Sequence, residues 1–345
     1  MYKNLDQAGM FDSIWQFPDN LGQAYELGTN IKLFQKYSNI NNVVIAGMGG
    51  SAIGGDVVSI LEKDNLNYPI FISRGYSLPN WVNENTLLIC SSYSGNTEET
   101  LTTLDNGLKK RAQIIGITTG GKLADKLSDL QKDIILIPPG LQPRAALAFS
   151  FIPMIKVLDK ISVIKTKLDL WLNDSIEALT ESRELYSIDS SKNPTFKLAQ
   201  QLHKKIPIIY ADNSTCGFAA LRLKGQLCEN AKMLAYHNEL PELNHNEIVG
   251  WENNAKIFKH LFVLWLSDEN DNPRVKLRQQ ITQEILNENG VDQFILKMTG
   301  NSFQERFLHM IHYGDWLSFW CAIAHGIDPS PVEKIDRLKE ELMKR

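Results

Sequence analysis

The chain holds only four cysteines, Cys90, Cys216, Cys228 and Cys321, far apart and without any CxxC or Cys-His spacing. Neither a disulfide framework nor a zinc knuckle can be read from them, so free thiols in a reducing cytoplasm are the expectation. Long apolar stretches are missing too. No run reaches the roughly 18 residues a membrane-spanning helix needs, and the opening MYKNLDQAGMFDSIWQF lacks the unbroken apolar core of a secretory signal. Nothing points to export or to a membrane partner. Positive charge is not in excess: 36 Lys and Arg stand against 40 Asp and Glu, a formal net charge of -4. Such a chain supplies no broad field for a phosphate backbone, which argues against nucleic acid and for a small ligand.

What is present is ordinary globular composition in 345 residues, enough for two domains of on the order of 100–200 residues each. After a helical N-terminal segment, the apolar run at residues 43–46 ends in glycines and opens an amphipathic stretch reaching about residue 61. Residues 70–73, 87–91, 114–118 and 134–137 read as further buried strands, with a helix at 97–111. Alternating strands and helices imply an α/β fold with a parallel, doubly wound sheet covered on both faces. Residues 166–204 are helical and strongly charged, as suits a connector. A second set of strands follows at 206–210, 261–266 and 294–298, with a helix at 273–289. The expected organisation is a first domain with its N-terminal segment at 1–165, connector helices and a second α/β domain at 166–330, and a C-terminal helix at 331–345.

Two loops in the first half stand at strand ends. GMGGSAIGG at residues 47–55 follows a strand and opens a helix, where glycines permit close backbone approach and a helix N-terminus offers free N–H groups to an anion. It also matches the dinucleotide pattern G-x-G-x-x-A, but the second strand ends in Ser73-Arg74 with no acidic residue for a ribose hydroxyl; the arginine would suit a 2′-phosphate instead. SSYSGNT at residues 91–97 brings several hydroxyls to one turn, which can wrap a phosphate monoester or, alternatively, cap the following helix through Ser94, Asn96 or Thr97. Ligands of open α/β sheets collect at such strand ends.

At these residues the sequence resembles the sugar isomerase (SIS) domain proteins and, within them, the bifunctional phosphoglucose/phosphomannose isomerases. The likeness runs nearly end to end. GMGGSAIGGD at 47–56 and SSYSGNTEET at 91–100 resemble that family's phosphate signatures. QPRAAL at 142–147, CENAK at 228–232, ELNHNEIVGW within 239–251, YGDWLSFW and GIDPSPVEKIDRLK distinguish it from other proteins with the domain. The resemblance implies two doubly wound parallel-sheet SIS domains, each an αβα sandwich, with a C-terminal helix. It implies an aldose–ketose isomerase acting on glucose 6-phosphate and fructose 6-phosphate, and on mannose 6-phosphate as well. Gly50, Ser51, Ser92, Ser94 and Thr97 would hold the phosphate. Glu229 would be the catalytic base, Arg144 would sit beside the reacting carbons, and His245 and Lys339 would serve ring opening, with Lys334 as the neighbouring candidate. A homodimer whose active site is shared between subunits is also implied.

The residues themselves allow this chemistry. Moving a proton between C1 and C2 needs a base, an oxyanion stabiliser and help in opening the ring, and calls for no metal or redox cofactor. Glu229 lies among Leu227 and Ala231, where a partly apolar site can raise a carboxylate pKa; the plain alternative is a surface helix glutamate. Arg144 follows the last strand of the first sheet, where a fixed cation can meet an oxyanion or pair a carboxylate. His245, between Asn244 and Asn246, suits proton exchange with a ring oxygen, or is simply an exposed loop histidine. Glu305, His309 and His312 stand at helical spacing like a metal site, but Phe303, Phe307, Ile311 and Trp316 around them favour a buried helix. A non-catalytic sugar-phosphate sensor is the main alternative function.

Overall fold

The branched aliphatic runs at residues 42–46, 86–91 and 113–118 form strands buried on nearly every side, where such side chains pack against a pleated surface. The computed structural model describes residues 2–253 and 255–344. The chain divides into two compact units. One spans Gln16–Glu177; the other combines the residues through Trp15 with those from Ala178 onward. A short helix α1 (Met10–Trp15) precedes α2 (Phe17–Thr29), which opens the first of these.

The Gln16–Glu177 unit contains five parallel strands, β1 (Asn42–Ala46), β2 (Ile70–Ser73), β3 (Thr86–Ser91), β4 (Gln113–Thr118) and β5 (Asp133–Leu136). Helices α3 (Gly49–Leu61), α4 (Glu98–Lys109), α5 (Gly121–Asp129) and α6 (Leu147–Lys160) connect or follow them. Strand order is β2-β1-β3-β4-β5, so the sheet reverses its direction of growth between β1 and β3. The pairs Ala46 with Ser73, Ala46 with Cys90 and Ser91 with Ile117 keep the strand ends level. The loops that leave β1, β2, β3 and β4 therefore start from one edge. Val44, Leu88, Leu104 and Leu127 share the core on one side of the sheet, each contributing about 1.5–3 kcal/mol by burial. The nearly unbroken apolar run of α6 has no polar face and no readable period. It is a helix buried on almost every side, from Leu147 through Leu158.

The second unit begins within α7 (Leu168–Tyr186), the first of the two helices in the charged connector. Asn193 ends the gap that follows: its side chain accepts from the N–H groups of Thr195 and Phe196 and starts α8 (Pro194–Leu202). Then come β6 (Ile206–Asp212), α9 (Gly217–Asn230), β7 (Tyr236–Leu240), α10 (Ala255–Phe258), β8 (Leu261–Ser267), α11 (Pro273–Glu288) and β9 (Asp292–Lys297). The four strands are parallel in the order β7-β6-β8-β9. Strand β7 was not expected from the sequence. Its residues YHNEL lie at the sheet edge with only Leu240 buried, so no apolar run marks them.

Helix α12 (Phe303–Ala324) forms the centre of this unit, with Trp316, Phe319 and Trp320 wholly removed from water. The N-terminal residues pack here: the Phe11 ring meets Trp316 edge-on at 4.9 Å. Arg222 of α9 donates to the Asp315 carboxylate at 2.7 Å with both side chains buried, and Gln226 donates to the same group at 2.7 Å. Breaking such a pair by removing one partner costs about 3–5 kcal/mol. Helix α13 (Glu333–Met343) ends the fold and is exposed along Glu333–Leu342. Among the described residues, no helix is long and apolar enough to cross a membrane.

Candidate active site

The reversal between β1 and β3 is where a crevice opens in a doubly wound sheet, and the two loops read from the sequence leave these two strands. At the head of α3 the cap position falls on Met48, whose side chain makes no capping bond. At the head of α4 the cap is Thr97, again without one. The hydroxyls of the second loop are thus not used to cap α4. Ser92 Oγ and Thr97 Oγ1 instead lie 2.8 Å apart, and Ser94 Oγ accepts from the Asn96 N–H at 3.3 Å outside the helix. Uncapped N–H groups and paired hydroxyls at a helix N-terminus make an anion-binding arrangement.

The two loops are joined to each other. Ser51, buried in the first turn of α3, accepts at Oγ from the Tyr93 N–H at 3.3 Å. Gly95 has a φ of +68° and faces Gly120 so closely that a Cβ would lie 1.8 Å from the Gly120 carbonyl oxygen. Only glycine fits there. Gly50 is equally constrained from the other side: a Cβ on it would lie 2.7 Å from the Pro143 carbonyl oxygen and 3.4 Å from Arg144 Cα. The 3-10 turn Pro143–Ala145 that carries Arg144 therefore lies directly against the glycine loop, with the Arg144 side chain 4% exposed. Gly50, Ser51, Ser92, Ser94, Thr97 and Arg144 are brought together within one unit. Arg74, the residue that would suit a 2′-phosphate, pairs with the buried Asp56 carboxylate of α3.

The other three residues lie in the second unit, on separate elements. Glu229 is half-buried one residue from the end of α9. Its carbonyl accepts from Lys232 Nζ at 2.9 Å, and the same ammonium reaches the carbonyls of Asp328 and Pro329, each at 2.9 Å. One lysine thus ties the CENAK segment to GIDPSP, a link that no local pattern announces. His245 ends the 3-10 turn Glu242–His245 and is exposed; Asn244 anchors the turn through Thr282 at 2.9 Å. Lys339 and Lys334 are both exposed on α13.

The metal-like trio is occupied by packing. Glu305 accepts from the Asn301 N–H at 2.8 Å, His309 Nε2 lies 2.8 Å from the Tyr186 hydroxyl, and His312 Nε2 accepts from Trp316 at 3.0 Å. Burial holds the His312 imidazole neutral, its pKa pushed down to about 3. Among the described residues, no group of three or more His, Cys, Asp or Glu is placed to hold a metal ion.

Two doubly wound parallel sheets, one with an anion-ready crevice, define an α/β protein of the phosphosugar-isomerase fold. Residues 191–342 match the family described as bacterial phospho-glucose isomerase C-terminal SIS domain. A bifunctional phosphoglucose/phosphomannose isomerase of Caldicellulosiruptor bescii is 41% identical over 337 residues, covering 96% of this chain and 98% of the relative. One of Aquifex aeolicus is 39% identical over 303 residues, covering 88% and 90%. A solved structure of a hypothetical protein from Thermus thermophilus superposes with a TM-score of 0.74 at 14% identity, over 98% of this chain and 90% of that one, a likeness of fold alone. The chain belongs to the bifunctional phosphoglucose/phosphomannose isomerase family.

Proposed function

We propose that the protein interconverts glucose 6-phosphate and fructose 6-phosphate, and mannose 6-phosphate and fructose 6-phosphate, by proton transfer between C1 and C2. The observation that carries this reading is the packing of the Arg144 turn against Gly50, beside hydroxyls that leave α4 uncapped. The phosphate is held by the amides and hydroxyls of Gly50, Ser51, Ser92, Ser94 and Thr97, with the dipoles of α3 and α4 behind it. His245 and Lys339 assist ring opening by exchanging a proton with the ring oxygen and the anomeric hydroxyl. Glu229 removes the proton from one carbon and returns it to the next. The cis-enediolate is planar at C2 and the two aldoses differ in which face takes the proton, so one base serves both substrates when rotation about the C2–C3 bond turns either face of the enediolate towards it.

Arg144 stabilises the enediolate oxygen; a fixed donor of this kind is worth about 10²–10³ in rate. We further propose a homodimer in the cytoplasm, with the site shared between subunits. Support for the isomerase activity comes from the two named relatives, 41% and 39% identical to this chain.

The test is NMR of fructose 6-phosphate with purified protein in the presence of a chelator. Both aldose 6-phosphates are expected to appear; glucose 6-phosphate alone would narrow the reading, and an unchanged spectrum would end it. Glu229→Gln is expected to lower kcat by about 10²–10⁴-fold while inorganic phosphate still binds. Retained turnover would move the base elsewhere.

A further inference from the structure

In a loop otherwise built of small residues, Tyr93 is the exception, and its contacts reach three segments. Its N–H donates to Ser51 Oγ at 3.3 Å, in the glycine loop. Its carbonyl accepts from the N–H of Thr119 at 3.1 Å and from the Thr119 hydroxyl at 2.8 Å, at the end of β4. Its phenol donates to the Pro138 carbonyl at 3.0 Å and accepts from the Leu141 N–H at 2.9 Å. Leu141 stands three residues before Arg144, whose turn closes back on Gly50 through the Pro143 carbonyl.

These contacts form a ring: Gly50-Ser51, Tyr93, Leu141, then Pro143-Arg144 against Gly50 again. We propose that Tyr93 is a positioning residue that couples the grip on the phosphate to the placement of Arg144, a role that rests on the isomerase reading above.

The physical reason lies in the composition of the segment it holds. Residues 138–143 read PPGLQP, so three of six positions have no N–H with which to anchor themselves. Gly140 adds a φ of +104°. The Tyr93 hydroxyl supplies both an acceptor for Leu141 and a donor for Pro138, spanning the two sides of that glycine. Burial raises the phenol pKa, so the hydroxyl keeps its proton and its donor at working pH. Without it, Leu141 N–H and Pro138 C=O lose their partner together, and the segment that aims Arg144 is released at its midpoint. The phosphate contacts sit on the other arm of the ring and remain. A cation displaced by about 1 Å from a developing charge is enough to cost on the order of 10² in rate. Loss of the hydroxyl is therefore expected to appear in kcat rather than in substrate binding.

The experiment is a double-mutant cycle on the whole protein, read by fructose 6-phosphate conversion. Tyr93→Phe should lower kcat by roughly 10–100-fold, with KM and inhibition by inorganic phosphate within about 3-fold of the parent. In an Arg144→Gln background the same change should have no further effect, because the residue it positions is gone. Equal losses in both backgrounds, an unchanged kcat, or a loss confined to KM would each overturn the proposal. A measurement on the unaltered protein covers the case of a variant that does not fold. Saturating inorganic phosphate should slow hydrogen exchange at the Leu141 amide about two- to threefold, the same small factor that the coupling allows in phosphate affinity, and unchanged exchange would sink the coupling. Should the unaltered protein bind phosphate but convert no sugar, the isomerase reading fails while the exchange measurement still judges the link.

Discussion

Counted in its own chain order, each sheet begins second-first-third-fourth, the first sheet adding a fifth strand, and each reverses beside its first strand, between β1 and β3 in one unit and between β6 and β8 in the other. The residues at the two reversals differ in kind. At the first, the loops carry glycine, serine and threonine, and the heads of α3 and α4 lack side-chain caps. At the second stand Asp212, Asp268 and Asp271, all buried, and the half-buried Glu239. There the carboxylates already hold the amides that an incoming anion would need. Asp212 accepts from the N–H of Ser214 at 2.8 Å and of Asn272 at 3.2 Å, Asp268 from Asn270 at 2.8 Å, and Asp271 from Asp268 at 2.8 Å. Arg306 answers the charge, donating to Asp268 at 2.7 Å. Topology makes a crevice at both places. Whether it receives an anion depends on whether the protein has supplied one of its own.

The largest test of that contrast is to disarm the acidic crevice. Asp268→Asn removes the buried carboxylate from Arg306, whose remaining ion pair is to the more exposed Glu269 at 2.8 Å, and should reduce stability by about 3 kcal/mol in urea unfolding, while KM for the sugar phosphate stays near the parent value. A KM that rises tenfold would mean that the second crevice belongs to substrate binding.

The reverse change gives the first crevice an anion of its own. Ser94→Asp should raise KM by roughly 100-fold through like-charge repulsion with the phosphate, yet leave the melting temperature within a few degrees because Ser94 is exposed. Binding that persists would remove the hydroxyl loop from the phosphate site.

A smaller, paired effect comes from two glycines in matching places. Gly50→Ala drives its new methyl into the Pro143 carbonyl, which is backbone, whereas Gly217→Ala meets the far end of the flexible Glu239 side chain at 2.7 Å. The first should lower kcat/KM at least about tenfold, and the second should change it less than about threefold. Equal effects in steady-state kinetics would erase the distinction between a rigid and a yielding crevice.

The smallest expected effect is on pH. The His312 pKa lies at about 3 in the fold, below its ordinary 6.5, with burial the main cause. Its contribution to stability is therefore complete above pH 6.5 and is lost as pH falls towards the folded value, with a slope of up to about 1.4 kcal/mol per pH unit. Burial raises the carboxyls of Asp271 and Glu239, which act in the opposite sense at lower pH. The window to read is thus about pH 6.5 down to about 5, before most carboxylates titrate. His312→Gln should reduce that slope in part, because burial also lowers His309, His237 and His325; an unaltered slope in urea titrations would place the responsible group elsewhere.

Much of this was legible in the chain. Among the described residues, eight of the nine strands coincide with apolar runs; β1, β3, β4 and β8 do so because strands buried on nearly every side must be built from such residues. The glycine loop and the hydroxyl loop were equally readable, since a glycine-rich or hydroxyl-rich turn between strand and helix is a local pattern. Strand β7 was hidden because an edge strand needs no apolar run, and α6 because a helix buried all round shows no period. The hydroxyls of SSYSGNT could not be divided between capping and binding from sequence. Capping depends on the rotation of a few side chains, and here Ser92 and Thr97 turn to each other.

Local residue order by itself determined most of the element types, the strands at the centre of each sheet, and the glycine and hydroxyl loops. Tertiary structure alone decided that Tyr93 meets Ser51, Pro138 and Leu141, residues 42, 45 and 48 positions away, and that Lys232 closes on Asp328 and Pro329. Periodicity and turn chemistry are properties of neighbours a few residues apart. Which loops touch is set by the register in which distant strands pair, and no stretch of sequence contains that register by itself.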